Sequence, residues 1–416
     1  MKKILLLFPL VLLSVNVNSQ WFEQTSGTTN ILNSGYFINV NTGFLCGYGG
    51  TVLKTTNGGT NWSSAGNIPI YSLKSICFKD SQTGFACGEG QSDYILIYTT
   101  NSGSSWQIKL NIPFNHAANN ILFINAMTGF IAGKGIPYKT TDGGNTWNIF
   151  LPEIGTSHKY IISSFSINTD KIFWVGTHYN PPYSLIGKIY YTTNGGANFL
   201  ETTLPTSQIQ DISFYDGLNG FIVALGYFGR TTDGGSSWTY INSPPLFANS
   251  VSYSSVQTLY RASNYDIYYS TSGGLNWSAQ HHESTRILNF VKMVNVNTGY
   301  CIGYNGLILK TTNGGITTVQ PISSEIPKQF SLSQNYPNPF NPTTKIRFDI
   351  RGNSATQTFL SVYDILGREV ATLVNEELKP GTYEVNWDGS NIVSGVYFYK
   401  LSTPDFTATK KMMLIK

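Results

Sequence analysis

Charge is scarce in this chain: Asp, Glu, Lys and Arg make up 12% of 416 residues, about half the usual share. The formal net charge is only +4, and no long Lys/Arg run occurs. Binding to nucleic acid or to an acidic membrane surface through bulk charge is therefore excluded. Cysteine is scarce too, with Cys46, Cys77, Cys87 and Cys301 alone and no CxxC pair, so no zinc site is indicated. No Ser-His-Asp order, phosphate loop or dense cluster of metal ligands appears, and no catalytic residue, metal site or cofactor is expected. The apolar run Ile4 to Leu13 is too short to cross a bilayer as a helix, so no transmembrane segment is expected. What is abundant is glycine, with 41 residues, and aromatic side chains at 14%. That mixture suits many short strands joined by tight turns rather than a helical bundle.

The first residues read as a targeting segment. Lys2 and Lys3 precede the apolar stretch, and Val17-Asn18-Ser19 offers small residues before a cleavage point. Residues 1–19 are expected to be a signal peptide, with the mature chain starting near Gln20. No cysteine follows the cleavage point, so a lipoprotein anchor is not indicated. Export permits disulfides. All four cysteines sit in apolar strand-like contexts and read as small buried hydrophobes; Cys77 with Cys87 is the best candidate for a bridge.

One pattern recurs seven times, first as Thr55-Thr56-Asn57-Gly58-Gly59-Thr60-Asn61-Trp62. It returns at Thr99 to Trp106, Thr140 to Trp147, Thr192 to Phe199, Thr231 to Trp238, Ser270 to Trp277 and Thr311 to Gly315. The aromatic ends are spaced by 44, 41, 52, 39 and 39 residues, a period that predicts propeller blades. Asn57, Asn101, Asp142, Asn194, Asp233 and Asn313 occupy the third position of the box, where an Asx side chain bonds its own turn. They are assigned to folding. A second pattern, such as Asn41-Thr42-Gly43-Phe44 or Gln82-Thr83-Gly84-Phe85, precedes each box and marks another turn. Blades four and six keep it only in degraded form. Two turns of this kind give four strands per repeat.

The seventh box lacks its aromatic end, yet Trp21 lies one period before Trp62. Trp21 to Gln24 is expected to supply the outermost strand of the last blade and so to close the ring. With these residues in view, residues 20–319 resemble the Asp-box (BNR) repeat propellers, above all the seven-bladed propellers related to photosystem II assembly factors. The resemblance implies that the box is a structural turn remote from any ligand.

After Gly315 the repeat stops. Residues 320–327 contain prolines and serines and are expected to be a linker. Then come Asn335-Tyr336-Pro337-Asn338-Pro339-Phe340-Asn341-Pro342, alternating strands such as Lys345 to Ile350, Ser394-Gly395-Val396-Tyr397-Phe398 and a basic end at Lys410, Lys411 and Lys416. Short alternating segments with Gly and Pro turns predict a small Ig-like β-sandwich over residues 328–416. This stretch resembles the type A sorting domain of the type IX secretion system; an ordinary Ig-like domain is the alternative. The resemblance implies that the secretion machinery is a partner and that the propeller is secreted or displayed on the outer-membrane surface.

A sialidase reading fails on its arginines. Arg230 stands where other boxes have Lys54, Lys139 and Lys310, which leaves only Arg261 and Arg286. The strand order instead places ligands on the face opposite the boxes, where departures from the repeat fall. These are His178, Tyr179 and Tyr183 in an insertion of blade four, and Tyr94 in blade two. Exposed loop aromatics there would stack on a glycan or a protein. All five histidines, His116, His158, His178, His281 and His282, belong to that face, as do the acids Asp93, Glu153 and Glu283. The chain is thus expected to be an all-β, monomeric binding protein for a glycan or protein. A glycan-active hydrolase or lyase, which needs two facing carboxylates, and a purely structural surface protein are the alternatives.

Overall fold

The computed structural model describes residues 21–416 except 69–70, 91–92, 113–117, 134–136, 151–158, 167–169, 181–183, 207, 243–246, 316–319, 324, 368 and 390–391. The signal-peptide reading of residues 1–19 therefore lies outside the described residues. Among the described residues all regular structure is β apart from one short 3-10 turn at Tyr304–Gly306.

Seven four-stranded antiparallel sheets occupy the chain up to Thr311. Numbered by their first strands, they begin at Leu32–Phe37, Ser72–Phe78, Asn120–Phe123, Lys159–Ser166, Ile209–Phe214, Ser250–Tyr253 and Leu288–Met293. Each first strand touches the first strand of the next sheet, and the seventh touches the first. The first strands thus form an inner ring, which makes the domain a β-propeller. Phe22–Gln24 completes the seventh sheet by pairing with Ile308–Lys310.

Why the box takes its form is visible at each repeat. The Thr55 hydroxyl donates to Asn57 Oδ1 at 3.0 Å and accepts from the Gly59 N–H at 2.8 Å. Asn57 Oδ1 also accepts from the Asn61 N–H at 3.0 Å. Asn101, Asp142, Asn194 and Asp233 accept in the same way from the residue four places on. Asn313 accepts from the Gly315 N–H. At Asp142 and Asp233 the hydroxyls of Thr146 and Ser237, together with these N–H donors, hold the carboxyl well below the usual range. The second glycine backs onto an aromatic ring of the preceding sheet: a Cβ on Gly274 would lie 2.2 Å from Phe221, and its φ is +88°. Both demands, left-handed backbone and close approach, select glycine.

The closing aromatic of each box packs beside the same rings. Trp62 meets Tyr300 edge-on at 5.9 Å and Trp277 meets Phe221 at 5.6 Å. Trp21 takes this place in the seventh sheet, 6.1 Å from Tyr260. Its indole N–H donates to Gln280 Oε1 at 2.9 Å, and Gln280 in turn donates to the carbonyls of Gly314 and Gly315. The truncated box and the chain start are thereby tied together.

Two further four-stranded sheets form a C-terminal sandwich around Phe340, Ile346, Phe348, Leu360, Trp387 and Tyr399. The Asn335 amide explains the proline-rich motif: it donates to the Pro337 carbonyl at 3.0 Å and to Thr344 Oγ1 at 2.9 Å, while its N–H donates to Tyr399 Oη at 2.8 Å. Phe22 of the closing strand packs against this core. The expected linker needs correction, because Gln320–Ser323 is a strand paired with Thr382–Glu384 of the sandwich.

The cysteines are the small buried hydrophobes expected, all four free and buried, and the candidate bridge Cys77–Cys87 is not formed. Cys77 faces Phe85, and Cys87 faces Ser75. The two are displaced diagonally, which places Cβ atoms roughly 7–8 Å apart, too far for a disulfide. Burial pushes the thiols up.

Candidate functional site

The box turns and the first-to-second-strand turns share one face of the ring. In blade one the Gly58 N–H donates to the Asn41 carbonyl at 2.8 Å; in blades three, five and seven Gly143, Gly234 and Gly314 donate to Met127, Leu218 and Asn297. The other face carries the second-to-third-strand turns and the links between sheets, tied for example by Gly49 N–H to Tyr71 carbonyl at 2.9 Å. The box face is thus closed by repeated hydrogen bonds, while the loop face varies from sheet to sheet.

On the loop face, blades seven, one and two present tyrosines. Tyr48 and Tyr304 begin equivalent turns, and Tyr71 lies on the link between blades one and two. Tyr71 is 56% exposed and Tyr304 38%. The Tyr48 and Tyr71 rings lie 5.4 Å apart at 59°. The Tyr71 backbone is clamped on both sides, donating to Glu89 and accepting from Gly49, which holds an exposed ring in place. Lys74 Nζ lies 5.6 Å from the Tyr48 ring centroid and 3.4 Å from Glu89 Oε1. Contact with the Tyr71 hydroxyl is the leading cause that pushes the Tyr48 phenol up. Lys74 is on an inner strand, two residues beyond the link, so the patch sits at the mouth of the axis.

The inner ring has its own hydrogen-bond code. Asn33, Asn249 and Asn289 donate to Leu73, Leu288 and Leu32 carbonyls of the next sheet at 2.7, 2.7 and 3.1 Å. One place further along, Ser75, Asp211 and Ser250 accept from the N–H of Ile121, Val251 and Val291 of the next sheet. At the seventh-to-first junction Phe290 takes that place and lies against Gly35, whose added Cβ would stand 3.5 Å from the ring.

Asp211 is the only carboxylate on the seven inner strands. Its Oδ1 accepts from Ser163 Oγ at 2.7 Å and Ile212 N–H at 2.9 Å. Its Oδ2 accepts from Ser250 Oγ at 2.8 Å and Val251 N–H at 3.0 Å. Burial still pushes its carboxyl up, and burial pushes the Lys292 ammonium down. The Asp211 charge opposes that fall at Lys292, although the two residues lie two sheets apart in the ring.

Of the residues singled out from sequence, some fall on described strands and others do not. His178 and Tyr179 lie on a strand, Ile172–Asn180, that runs with Ser184–Thr192 as a lengthened hairpin on the loop face. Tyr183, His116, His158 and Glu153 lie outside the described residues. Tyr94 is half-buried, packed beside Leu96 and Ala118, and pairs across the hairpin with Glu89. Asp93 closes that hairpin through Gly90. Sequence reasoning missed Tyr48, Tyr71, Asp211 and Lys292. Superposing the inner-strand segments of the repeats would have exposed Asp211, which stands where neighbours have serine.

A separate ionic group secures the closing strand. Arg286 donates to both Glu23 oxygens at 2.6 and 2.8 Å and to Glu283 at 3.0 Å. The three arginines of the propeller are thus apart: Arg286 is here, Arg230 lies beside the sixth box, and Arg261 lies among aromatic rings. A polar cleft of about 710 Å³ adjoins the closing strand, lined by residues 23–30 with Asn305 and Gly306. Its carboxylate, Glu23, is engaged by Arg286.

Beside this group His281 is half-buried, its two enclosed ring nitrogens without hydrogen-bond partners among the described residues and Glu283 4.0 Å away. Burial holds its imidazole down to about 4 from an ordinary 6.5, against the opposing pull of Glu283 and Asp266; His282 and Arg286 add to the depression. Below pH 6.5 the unfolded chain binds a proton here that the folded chain refuses until about pH 4. Stability is therefore present above 6.5 and falls with pH across that window, by up to about 3 kcal/mol. Urea unfolding at several pH values should show this slope in the natural chain and a flatter one in His281→Gln. Equal slopes would remove His281 from the account.

Residues 334–416 match the family model described as a secretion system C-terminal sorting domain. The C-terminal domain is a type IX sorting domain. It directs export of the chain to the cell surface or outside. Among the described residues no helix is long and apolar enough to cross a membrane. The propeller is 26% identical over 305 residues to a chloroplastic photosystem II stability/assembly factor, HCF136, of Oryza sativa subsp. japonica, covering 67% of each chain. Among solved structures it is similar to YCF48 from Cyanidioschyzon merolae, with TM-score 0.57 and 18% identity over 70% of this chain and 98% of that one. It is likewise similar to YCF48 bound to D1 peptide, with TM-score 0.58 and 16% identity over 73% and 100%. These structures establish the propeller fold.

Proposed function

We propose that this exported chain is a recognition protein that binds an extended polypeptide across the loop-face mouth of its propeller. The observation that carries the reading is the Tyr48–Tyr71 pair, an exposed aromatic platform on a clamped backbone. Tyrosines of this kind supply rigid, amphipathic contact area with few torsions to immobilise. Lys74 and Glu89 beside the platform offer one donor and one acceptor to a peptide backbone or a charged side chain. A similar propeller has been solved with a peptide bound, which supports a polypeptide over a glycan. A glycan-active enzyme is disfavoured, because the inner strands carry one carboxylate, Asp211, whose oxygens are engaged by four donors.

The test is binding of the purified chain to an array of overlapping peptides from outer-membrane and secreted proteins, run beside a polysaccharide array. Selective peptide binding is expected, weakened about tenfold or more when Tyr48 and Tyr71 are both changed to Ala. Selective binding to a polysaccharide would replace the polypeptide class. Silence on both arrays would overturn the recognition reading.

A further inference from the structure

We propose that the cleft beside the closing strand is a main-chain subsite, where an extended stretch of the bound polypeptide lies along Thr25, Gly27 and Thr29. The subsite presupposes a polypeptide ligand on the Tyr48–Tyr71 platform and extends that platform by a stretch that reads backbone. The cleft holds about 710 Å³ and is lined by residues 23–30 together with Asn305 and Gly306.

Its lining segment leads from the rim of the ring to the platform. Phe22–Gln24 is the outermost strand of its sheet. At the other end the Ile31 carbonyl accepts from the Tyr48 N–H at 2.9 Å. Asn30 Nδ2 also donates to Thr51 Oγ1 at 2.8 Å, in the turn that Tyr48 begins. The cleft thus adjoins the platform.

The residues from Thr25 to Asn30 divide by parity. Ser26 is buried, and its Oγ donates to the Thr28 carbonyl at 3.1 Å and accepts from the Thr28 N–H at 3.3 Å. Thr28 Oγ1 accepts from the Asn30 N–H at 3.1 Å, and the Asn30 carbonyl accepts from the Gly306 N–H at 2.9 Å. These even-numbered residues fasten the segment. Thr25, Gly27 and Thr29 are all exposed, and their main-chain groups have no hydrogen-bond partner among the described residues. Free main-chain groups at every second residue match an extended chain, which presents its own on one side at that spacing. A fastened edge of this kind needs little ordering when a peptide pairs with it.

Gly27 marks the open side, because its φ is +73° and an added Cβ would meet nothing within 4 Å. The lining carries one charged side chain, Glu23, which is already paired with Arg286. The occupant is therefore selected by its backbone rather than by its charge.

The probe is the tightest-binding peptide of the array of outer-membrane and secreted proteins, titrated calorimetrically against the full chain. Two further versions carry N-methyl groups on its odd or on its even amides. One version is expected to lose at least about tenfold in affinity and the other to bind as before. Gly27→Asn should weaken binding about tenfold as well, because asparagine tolerates positive φ and its side chain would occupy the cleft. Its thermal midpoint checks that the variant keeps its fold; should it fold poorly, the methylated peptides on the natural chain decide. Equal affinity of all three peptides, or undiminished binding to Gly27→Asn, would overturn the subsite. If Tyr48→Ala with Tyr71→Ala still weakens binding in that case, the platform stands without the cleft. Loss on Gly27→Asn with none on the tyrosine pair would keep the cleft and remove the platform. A polysaccharide as the selective ligand, or no selective ligand, would overturn the subsite along with the polypeptide reading.

Discussion

Trp21→Ala is expected to lower the stability of the propeller by about 3–5 kcal/mol, the usual cost of emptying a buried tryptophan site. Trp21 is 3% exposed and packs on Tyr260. Its loss also strands Gln280 Oε1, which accepts its indole N–H in a buried setting, and an unmet buried acceptor adds its own penalty. Gln280 in turn holds Gly314 and Gly315, so the damage should spread to the truncated seventh box. Trp21→Phe keeps the apolar body and should cost less. Urea unfolding monitored by tryptophan fluorescence measures both variants, with the sandwich transition as an internal reference. An unchanged propeller midpoint in Trp21→Ala would falsify the role given to the closing strand.

Arg261→Leu is expected to act in the opposite direction and stabilise the propeller by about 1–3 kcal/mol. Arg261 is fully buried between blades five and six, and its guanidinium nitrogens have no hydrogen-bond partners among the described residues. It is held only by three rings, Phe228, Tyr268 and Trp277, at 4.5, 4.6 and 4.7 Å. Two large effects compete. Each desolvated cation–ring contact is worth up to about 2 kcal/mol, whereas burying the charge without partners costs several. Burial is the first cause that pushes the guanidinium down to about 10 from 12.5, which puts desolvation on the side of the leucine. Blade one has Leu45 at the matching position of its second strand, opposite Leu53 and buried, which shows that the frame accepts leucine. Thermal unfolding compares the two chains; a lower midpoint in Arg261→Leu would mean that the aromatic cage outweighs the lost solvation.

The parts of this fold legible in the sequence were those repeated in it. Boxes such as Thr55 to Trp62 could be read because each obeys the same two local demands, an Asx-bonded turn and a left-handed glycine. Trp21 could be placed because it keeps phase with Trp62. The axis was not legible. In Ile209-Gln210-Asp211-Ile212 the aspartate looks like the solvated half of an alternating strand, and only the ring geometry turns it inward. Arg261, within Leu259-Tyr260-Arg261-Ala262, was hidden in the same way. The candidate pairing of Cys77 with Cys87 does not form because register, not spacing, decides which side chains face each other. A bulge between Leu73 and Ser75 is invisible to composition. The platform tyrosines sit in short turns of ordinary length, whereas the departure most conspicuous in the sequence is the longest insertion, around His178 and Tyr183.

The pairing of Phe22–Gln24 with Ile308–Lys310 also governs the order of events during synthesis. The chain leaves the ribosome with its closing strand first, and the partner of that strand follows only at the end of the last repeat. Until then the growing propeller has two open sheet edges, each able to pair with a neighbour. The sorting domain is made later still, at residues 334–416. Any chain that carries the export tag therefore already contains every residue needed to shut the ring. Prematurely ended chains, with their sticky edges, lack the tag and are left behind.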